Sequence, residues 1–211
     1  MKNVGIIGLG NIAHRVAKGI LASKSANLYA VASRDKEKSL AFAQMYGAEK
    51  ACEGYEELLE DDQVDMVYIC TPNAFHFDQI RLCLSYGKHV ICEKPCTTTE
   101  EQTRELFALA KEKGLFLMEA QKMLFLPAVL AVKEAIDSGK LGAIRMAEFN
   151  HSFYGSYNNW MYDEAAGGGP LLSSAIYVVE LLQFLFGTKR FLCIGFPNVQ
   201  FCFYCFLCIS C

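Results

Sequence analysis

Val4-Gly5-Ile6-Ile7-Gly8-Leu9-Gly10-Asn11-Ile12-Ala13 is the stretch that decides the fold. A short apolar run stops at Gly8, and a helical pattern begins two residues later. Between Asn11 and Ser23, Ile12, Ala13, Val16, Ala17 and Ile20 recur at helical spacing, with His14, Arg15 and Lys18 directed outward. Working outward from this strand–turn–helix, the same alternation continues. Lys2–Gly8, Leu28–Ser33, Asp65–Cys70, Lys88–Cys92 and Leu115–Met118 read as strands. Lys36–Tyr46, Ala74–Tyr86 and Thr99–Lys113 read as helices, the last opened by Thr97-Thr98-Thr99 ahead of Glu100 and Glu101. Strands alternating with helices of this length mean βαβ units and a parallel sheet covered on both faces.

In that setting Gly8-Leu9-Gly10-Asn11-Ile12-Ala13 has the G-x-G-x-x-A spacing of a dinucleotide fingerprint. Gly8 permits the tight turn, Gly10 lets the backbone approach a pyrophosphate, and Ala13 allows close helix–sheet packing. The helix N-terminus, from Asn11 and Ile12 onward, attracts the phosphate charge. The expectation is a Rossmann-type doubly wound α/β sheet over residues 1–120. The second strand ends Ala32-Ser33-Arg34-Asp35. Ser33 followed by Arg34 suits the 2′-phosphate of NADP, because a guanidinium pairs with phosphate and stacks on adenine. Asp35, one position on, leaves NAD open.

The 211 residues carry a net charge of −3, so nucleic acid and anionic membranes are not expected partners. The N-terminus reads as a first strand rather than a signal peptide. No uninterrupted apolar run reaches 18 residues, and a cytoplasmic protein without a membrane span is the expectation. Cys52, Cys70, Cys83, Cys92 and Cys96 lie mostly within apolar runs and read as buried, reduced thiols.

After about Glu119 the rhythm changes. Leu126–Ser138 reads as a helix, Ala143–Phe153 as an alternating strand, and residues 155–169 as a Gly/Asn-rich loop. Pro170 sits at a first helical position, and Leu171–Phe186 is apolar almost all round. Residues 121–190 thus read as an incomplete α+β domain for substrate binding and oligomerisation. Residues 191–211 contain five Cys, five Phe and no charge, a composition closer to a shifted reading frame than to an evolved strand. Residues 121–211 are therefore expected to expose apolar surface. Cys202-x-x-Cys205-x-x-Cys208-x-x-Cys211 lacks the glycine turns and terminal proline of a cluster-binding run, so no metal site is assigned.

Cys70-Thr71-Pro72-Asn73 with His76 follows one strand and Glu93-Lys94-Pro95 another, both at the carboxyl edge where parallel sheets bind ligands. Met118-Glu119-Ala120 and Gly167-Gly168-Gly169-Pro170-Leu171-Leu172 with Tyr177 follow in order. Over Lys2–Gly187 this set resembles the glucose–fructose oxidoreductase / inositol dehydrogenase / MocA-like family, C-terminally truncated. With tyrosine where histidine is usual, it looks most like the trans-dihydrodiol dehydrogenase-like branch. The resemblance implies an NAD(P)-dependent dehydrogenase of sugars, polyols or dihydrodiols, homo-oligomeric at full length. It makes Lys94 and Tyr177 the catalytic candidates, with Lys94 bonding the substrate hydroxyl and the nicotinamide ribose. Thr71, Pro72, Asn73 and His76 line the nicotinamide side, Glu93 orients Lys94, and Glu119 joins the cofactor site. The pattern departs at Ser173, where the family usually has aspartate, and at Ala175, where it usually has glycine. That departure favours the alternative of an inactive nucleotide-binding remnant or regulator. Trp160 and Tyr162 are candidate pocket walls.

Overall fold

The computed structural model describes residues 1–144, 146–151, 160–169, 171–187, 192–195 and 203–208. Pro170, Phe153, Cys202 and Cys211 lie outside the described residues, as do residues 155–159 of the expected loop and the side chain of Tyr162. The chain divides into two compact units, Met1–Ala120 and Gln121–Cys211.

In the first unit the order is β1 (Lys2–Ile7), α1 (Asn11–Ala22), β2 (Ala26–Ser33), α2 (Lys36–Tyr46), β3 (Lys50–Glu53) and α3 (Glu56–Leu59). Then come β4 (Met66–Ile69), α4 (His76–Ser85), β5 (His89–Cys92), α5 (Glu100–Glu112) and β6 (Leu117–Glu119). The six strands are parallel and lie in the order β3-β2-β1-β4-β5-β6. Two apolar layers cover the sheet. One joins Val4, Ile6 and Val31 to Ala13, Ala17 and Ile20 of α1. The other joins Ile7, Val67 and Val90 to Ile80 and Leu84 of α4 and Leu106 of α5. This is the doubly wound sheet expected from the alternation of patterns.

Local chemistry sets the helix ends. The Asp35 carboxylate caps α2 by accepting the Lys38 N–H (3.2 Å), and the Thr99 hydroxyl oxygen caps α5 by accepting the Gln102 N–H. One outward assignment needs correcting. His14 is half-buried against Phe42 and Tyr46, with Nδ1 2.8 Å from the Tyr46 hydroxyl, because the paired aromatics of α2 offer a stacking surface.

The second unit contains α6 (Pro127–Asp137), β7 (Met146–His151), α7 (Ile176–Phe186), β8 (Leu192–Gly195) and β9 (Phe203–Cys208). The sequence reading places no strand after Phe153, yet two are present. β9 pairs antiparallel with both β7 and β8, with Met146 opposite Cys208 and His151 opposite Phe203. Aromatic and β-branched residues favour pleated backbone irrespective of charge, and a strand such as β7 needs a paired edge. Val178 and Leu182 of α7 pack against Ala147 and Phe149 of β7. Leu130 and Val132 of α6 stay exposed, as do Leu126, Leu141 and Met146. An apolar cavity of about 420 Å³ lies among Val132, Ile136, Ile144, Phe149 and Leu185. Residues Glu164–Phe186 have the length and mean hydropathy (1.5) of a membrane-crossing helix. α7 itself is 11 residues, roughly 16 Å at the α-helical rise, about half a bilayer core.

Candidate functional site

Strand order reverses between β1 and β4, and at that switch point the loops after β1, β2, β4, β5 and β6 share the carboxyl edge of one sheet. Gly8 follows β1 with φ +84°, and its N–H donates to the Ala32 carbonyl. A Cβ at Gly8 would stand 2.5 Å from Thr71 Cγ2, 2.8 Å from Thr71 N and 2.9 Å from the Cys70 carbonyl carbon. Here glycine is required both by the backbone and by the neighbouring loop. Gly10 differs, since a Cβ there would meet nothing within 4 Å. It is the N-cap of α1, whose first turn has neither a side-chain cap nor an acidic residue. Asn11 is exposed, Ile12 half-buried and Ala13 fully buried. Open space in front of uncapped helix N–H groups fits an anionic pyrophosphate.

At the tip of β2, Ser33 is buried and its hydroxyl oxygen accepts the Asp35 N–H (3.1 Å), while Arg34 is exposed. Asp35 caps α2, and beside it the guanidinium of Arg34 is open to solvent. Tyr55 is near enough for the Arg34 charge to oppose the upward push of burial on its phenol.

The loop after β4 is held from within. The Thr71 hydroxyl donates to Gln79 Oε1 (2.5 Å), and Pro72 precedes a 3₁₀ turn, Asn73–Phe75, in which Asn73 is buried. His76 requires a correction. Its ring has no exposed surface and bridges two backbone carbonyls, with Nδ1 2.7 Å from Pro95 O and Nε2 2.9 Å from Thr71 O. It ties the loop after β4 to the loop after β5 instead of lining the nicotinamide side. Burial holds its pKa below the usual histidine value, against the opposing pull of the two carbonyls.

The loop after β5 carries Glu93, Lys94 and Pro95, with a cis peptide between Lys94 and Pro95. Glu93 and Lys94 are half-buried and Pro95 is buried. The Tyr68 hydroxyl donates to Glu93 Oε1 (3.0 Å), and the Cys96 N–H donates to Glu119 Oε1 (2.8 Å). Burial beside Glu93 pushes the Tyr68 phenol far above its ordinary pKa, so it remains a donor. Tyr68 and Gln79 were missed by sequence reasoning. The available signal was a hydroxyl within the otherwise apolar run Asp65–Cys70, since a buried phenol needs a partner.

Gly8–Ala13, Ser33–Arg34, Thr71–Asn73, Glu93–Lys94 and Glu119 thus share one sheet edge of the first unit. Tyr177 belongs to the second unit, on α7, with Lys122 Nζ 5.9 Å from its ring centroid. A π-type turn, Leu171–Ala175, precedes α7, and the Ser173 hydroxyl donates to the Gly169 carbonyl (2.7 Å). Gly168 packs against Met161 O, leaving no room for a Cβ, and Gly169 N–H donates to the same carbonyl. Trp160 is exposed.

A doubly wound parallel sheet with an uncapped helix N-terminus at its switch point defines a Rossmann-type nucleotide-binding class. Residues 2–121 match the model of the oxidoreductase family with NAD-binding Rossmann fold, and residues 129–190 match the GFO/IDH/MocA C-terminal domain. The chain belongs to the GFO/IDH/MocA oxidoreductase family. It is 37% identical over 188 residues to trans-1,2-dihydrobenzene-1,2-diol dehydrogenase of Mus musculus, covering 88% of this chain and 56% of that protein. It is also 37% identical over 193 residues to dTDP-3,4-didehydro-2,6-dideoxy-alpha-D-glucose 3-reductase of Actinomadura kijaniata, with the same two coverages. A crystal structure of KijD10, a 3-ketoreductase from Actinomadura kijaniata in complex with NADP and TDP-benzene, superposes with a TM-score of 0.84. Its identity is 35%, over 90% of this chain and 59% of that one. The chain therefore spans little more than half the length of these relatives.

Proposed function

We propose that the chain binds NADP(H) on its first unit and interconverts a secondary alcohol and a ketone on a sugar, polyol or dihydrodiol. The observation that carries this reading is the pairing of an open Gly10 and uncapped α1 with the Glu93-Lys94-Pro95 loop on the same sheet edge. The relatives named as dihydrodiol dehydrogenase and 3-ketoreductase support the substrate class, and the NADP-bound KijD10 structure supports the cofactor.

Gly8, Gly10 and the N–H groups of Asn11–Ala13 hold the pyrophosphate, and Ser33 with Arg34 holds the 2′-phosphate. Thr71, Pro72 and Asn73 supply one wall of the nicotinamide half-site, and Glu93, Lys94 and Glu119 the other. When bound, the nicotinamide accepts or supplies hydride at C4. Lys94 Nζ donates to the substrate oxygen and delivers the proton that turns a reduced carbonyl into a hydroxyl, or takes it up in the reverse direction. Glu93, anchored by Tyr68, keeps that ammonium oriented. The family resemblance makes Tyr177 the alternative donor of that single proton. The alternative of a binding module without turnover draws on Ser173, whose hydroxyl is committed to the Gly169 carbonyl where the family usually has aspartate.

Calorimetric titration with NADP and NAD, followed by an NADPH-consumption assay on ketose, polyol and dihydrodiol panels, tests both. Binding with turnover that Lys94→Ala abolishes supports the enzyme, and binding without turnover on any panel supports the module. No binding of either nucleotide overturns both.

A further inference from the structure

We propose that Tyr68, His76 and Glu119 are positioning residues that together hold the loop carrying Lys94, Tyr68 through the Glu93 carboxylate and the other two through the backbone, an inference that rests on the reading of Lys94 given above. Three side chains from three different elements grip the four residues Glu93–Cys96. From β4, the Tyr68 hydroxyl takes Glu93 Oε1 at 3.0 Å. From α4, His76 Nδ1 lies 2.7 Å from the Pro95 carbonyl oxygen. From the end of β6, Glu119 Oε1 accepts the Cys96 N–H at 2.8 Å. The anchored residues flank Lys94 on both sides.

A loop after a strand ordinarily leaves backbone polar groups to water. Here the carbonyl of Pro95 and the N–H of Cys96 are both taken by side chains, and His76 and Pro95 are buried. Through Nε2 the same imidazole reaches the Thr71 carbonyl at 2.9 Å, so the loops after β4 and β5 are joined through one ring. Both ring nitrogens face backbone carbonyls, which places the ring as a bridge between the loops and leaves neither nitrogen facing substrate. Glu119, placed by resemblance in the cofactor site, holds the loop by one carboxylate oxygen. Both loops supply nicotinamide-side residues, so the clamp sets the geometry of that half-site.

The test uses the full chain with its lysines reductively ¹³C-dimethylated, which preserves their charge, and the Lys94 signal identified by its loss in Lys94→Arg. In the unmutated chain this signal is expected to be dispersed from the exposed-lysine envelope. Tyr68→Phe, His76→Ala and Glu119→Ala should each move it towards that envelope. Glu119→Gln, which keeps an oxygen acceptor for the Cys96 N–H, should retain the native position. Tyr68→Phe, His76→Ala and Glu119→Ala should weaken NADPH roughly five- to tenfold while leaving 2′,5′-ADP, which lacks the nicotinamide half, within twofold. A native Lys94 signal in folded Tyr68→Phe and Glu119→Ala chains overturns the proposal, as does equal loss in Glu119→Gln and Glu119→Ala. If the unmutated chain fails to bind NADPH, the functional reading falls, and the Lys94 signal still decides the clamp.

Discussion

Replacing Gly8 and Gly10 in turn by alanine separates the two jobs of the glycine turn. At Gly8 the φ of +84° costs an L-residue roughly 1–2 kcal/mol. The new Cβ also falls 2.5 Å from Thr71 Cγ2 and within 2.9 Å of two backbone atoms, Thr71 N and Cys70 C. Backbone atoms do not move aside as a flexible side chain does, and overpacking of this kind costs about 1–3 kcal/mol. Gly8→Ala should therefore destabilise the first unit by about 2–5 kcal/mol, a large share of a domain's usual ~5–15 kcal/mol. Gly10 has φ −88°, which any residue adopts, and a Cβ there meets nothing. Gly10→Ala should cost no more than about 1 kcal/mol in lost cap preference. It should still weaken NADPH at least tenfold, because the methyl fills the space open to the pyrophosphate. Urea transitions followed by far-ultraviolet circular dichroism, paired with NADPH fluorescence titrations, read both quantities. An unchanged urea midpoint for Gly8→Ala, or native NADPH affinity for Gly10→Ala, would refute this division of labour.

Other outcomes follow from the same geometry. Arg34→Ala should erode the preference for NADP over NAD by about 1–3 kcal/mol in paired calorimetric titrations, the scale of a hydrogen bond to a charged group. Equal dissociation constants in the unmutated chain would remove Arg34 from cofactor choice. Lys94→Ala should lower kcat by roughly 10² or more with little change in nucleotide affinity, and Tyr177→Phe should lower it less. Burial pushes the Cys52 thiol up to about 11 and the Cys83 and Cys96 thiols up to about 12. Iodoacetamide should thus leave these thiols unmodified in the folded chain up to pH 9. Because an unfolded thiol ionises near 8.5, the unfolded chain sheds protons first, and stability present at pH 7.5 should fall as pH rises beyond about 9. A urea midpoint that is unchanged or higher at pH 9.5 would contradict this.

The first unit was legible because its determinants are local. Val4–Ile7 and Met66–Ile69 are short apolar runs bounded by turn residues, and Gly8, Gly10 and Ala13 stand at spacings fixed by one strand–helix turn. The edge elements Lys50–Glu53 and Glu56–Leu59 were not legible, since four residues carry too little period to distinguish them from a loop. At the site, the sequence separates Tyr68 from Glu93 and His76 from Pro95 by about a helix and a strand. Their contacts arise only when β4 and β5 pair in register, Tyr68 beside Ile91. A polar side chain inside an apolar run announces that it needs a partner but does not say which. In the last 21 residues composition did not reveal the strands Leu192–Gly195 and Phe203–Cys208, because Phe, Tyr and Cys without charge are both the mark of a shifted frame and good material for paired strands.

The most direct test of the central claim is an amide chemical-shift titration of the ¹⁵N-labelled full chain with NADP. Perturbations concentrated at Gly8–Ala13, Ser33–Arg34, Thr71–Asn73 and Glu93–Lys94, saturating together with a single dissociation constant, are the predicted result. Perturbations confined to residues 121–211, or none at millimolar nucleotide, would contradict it.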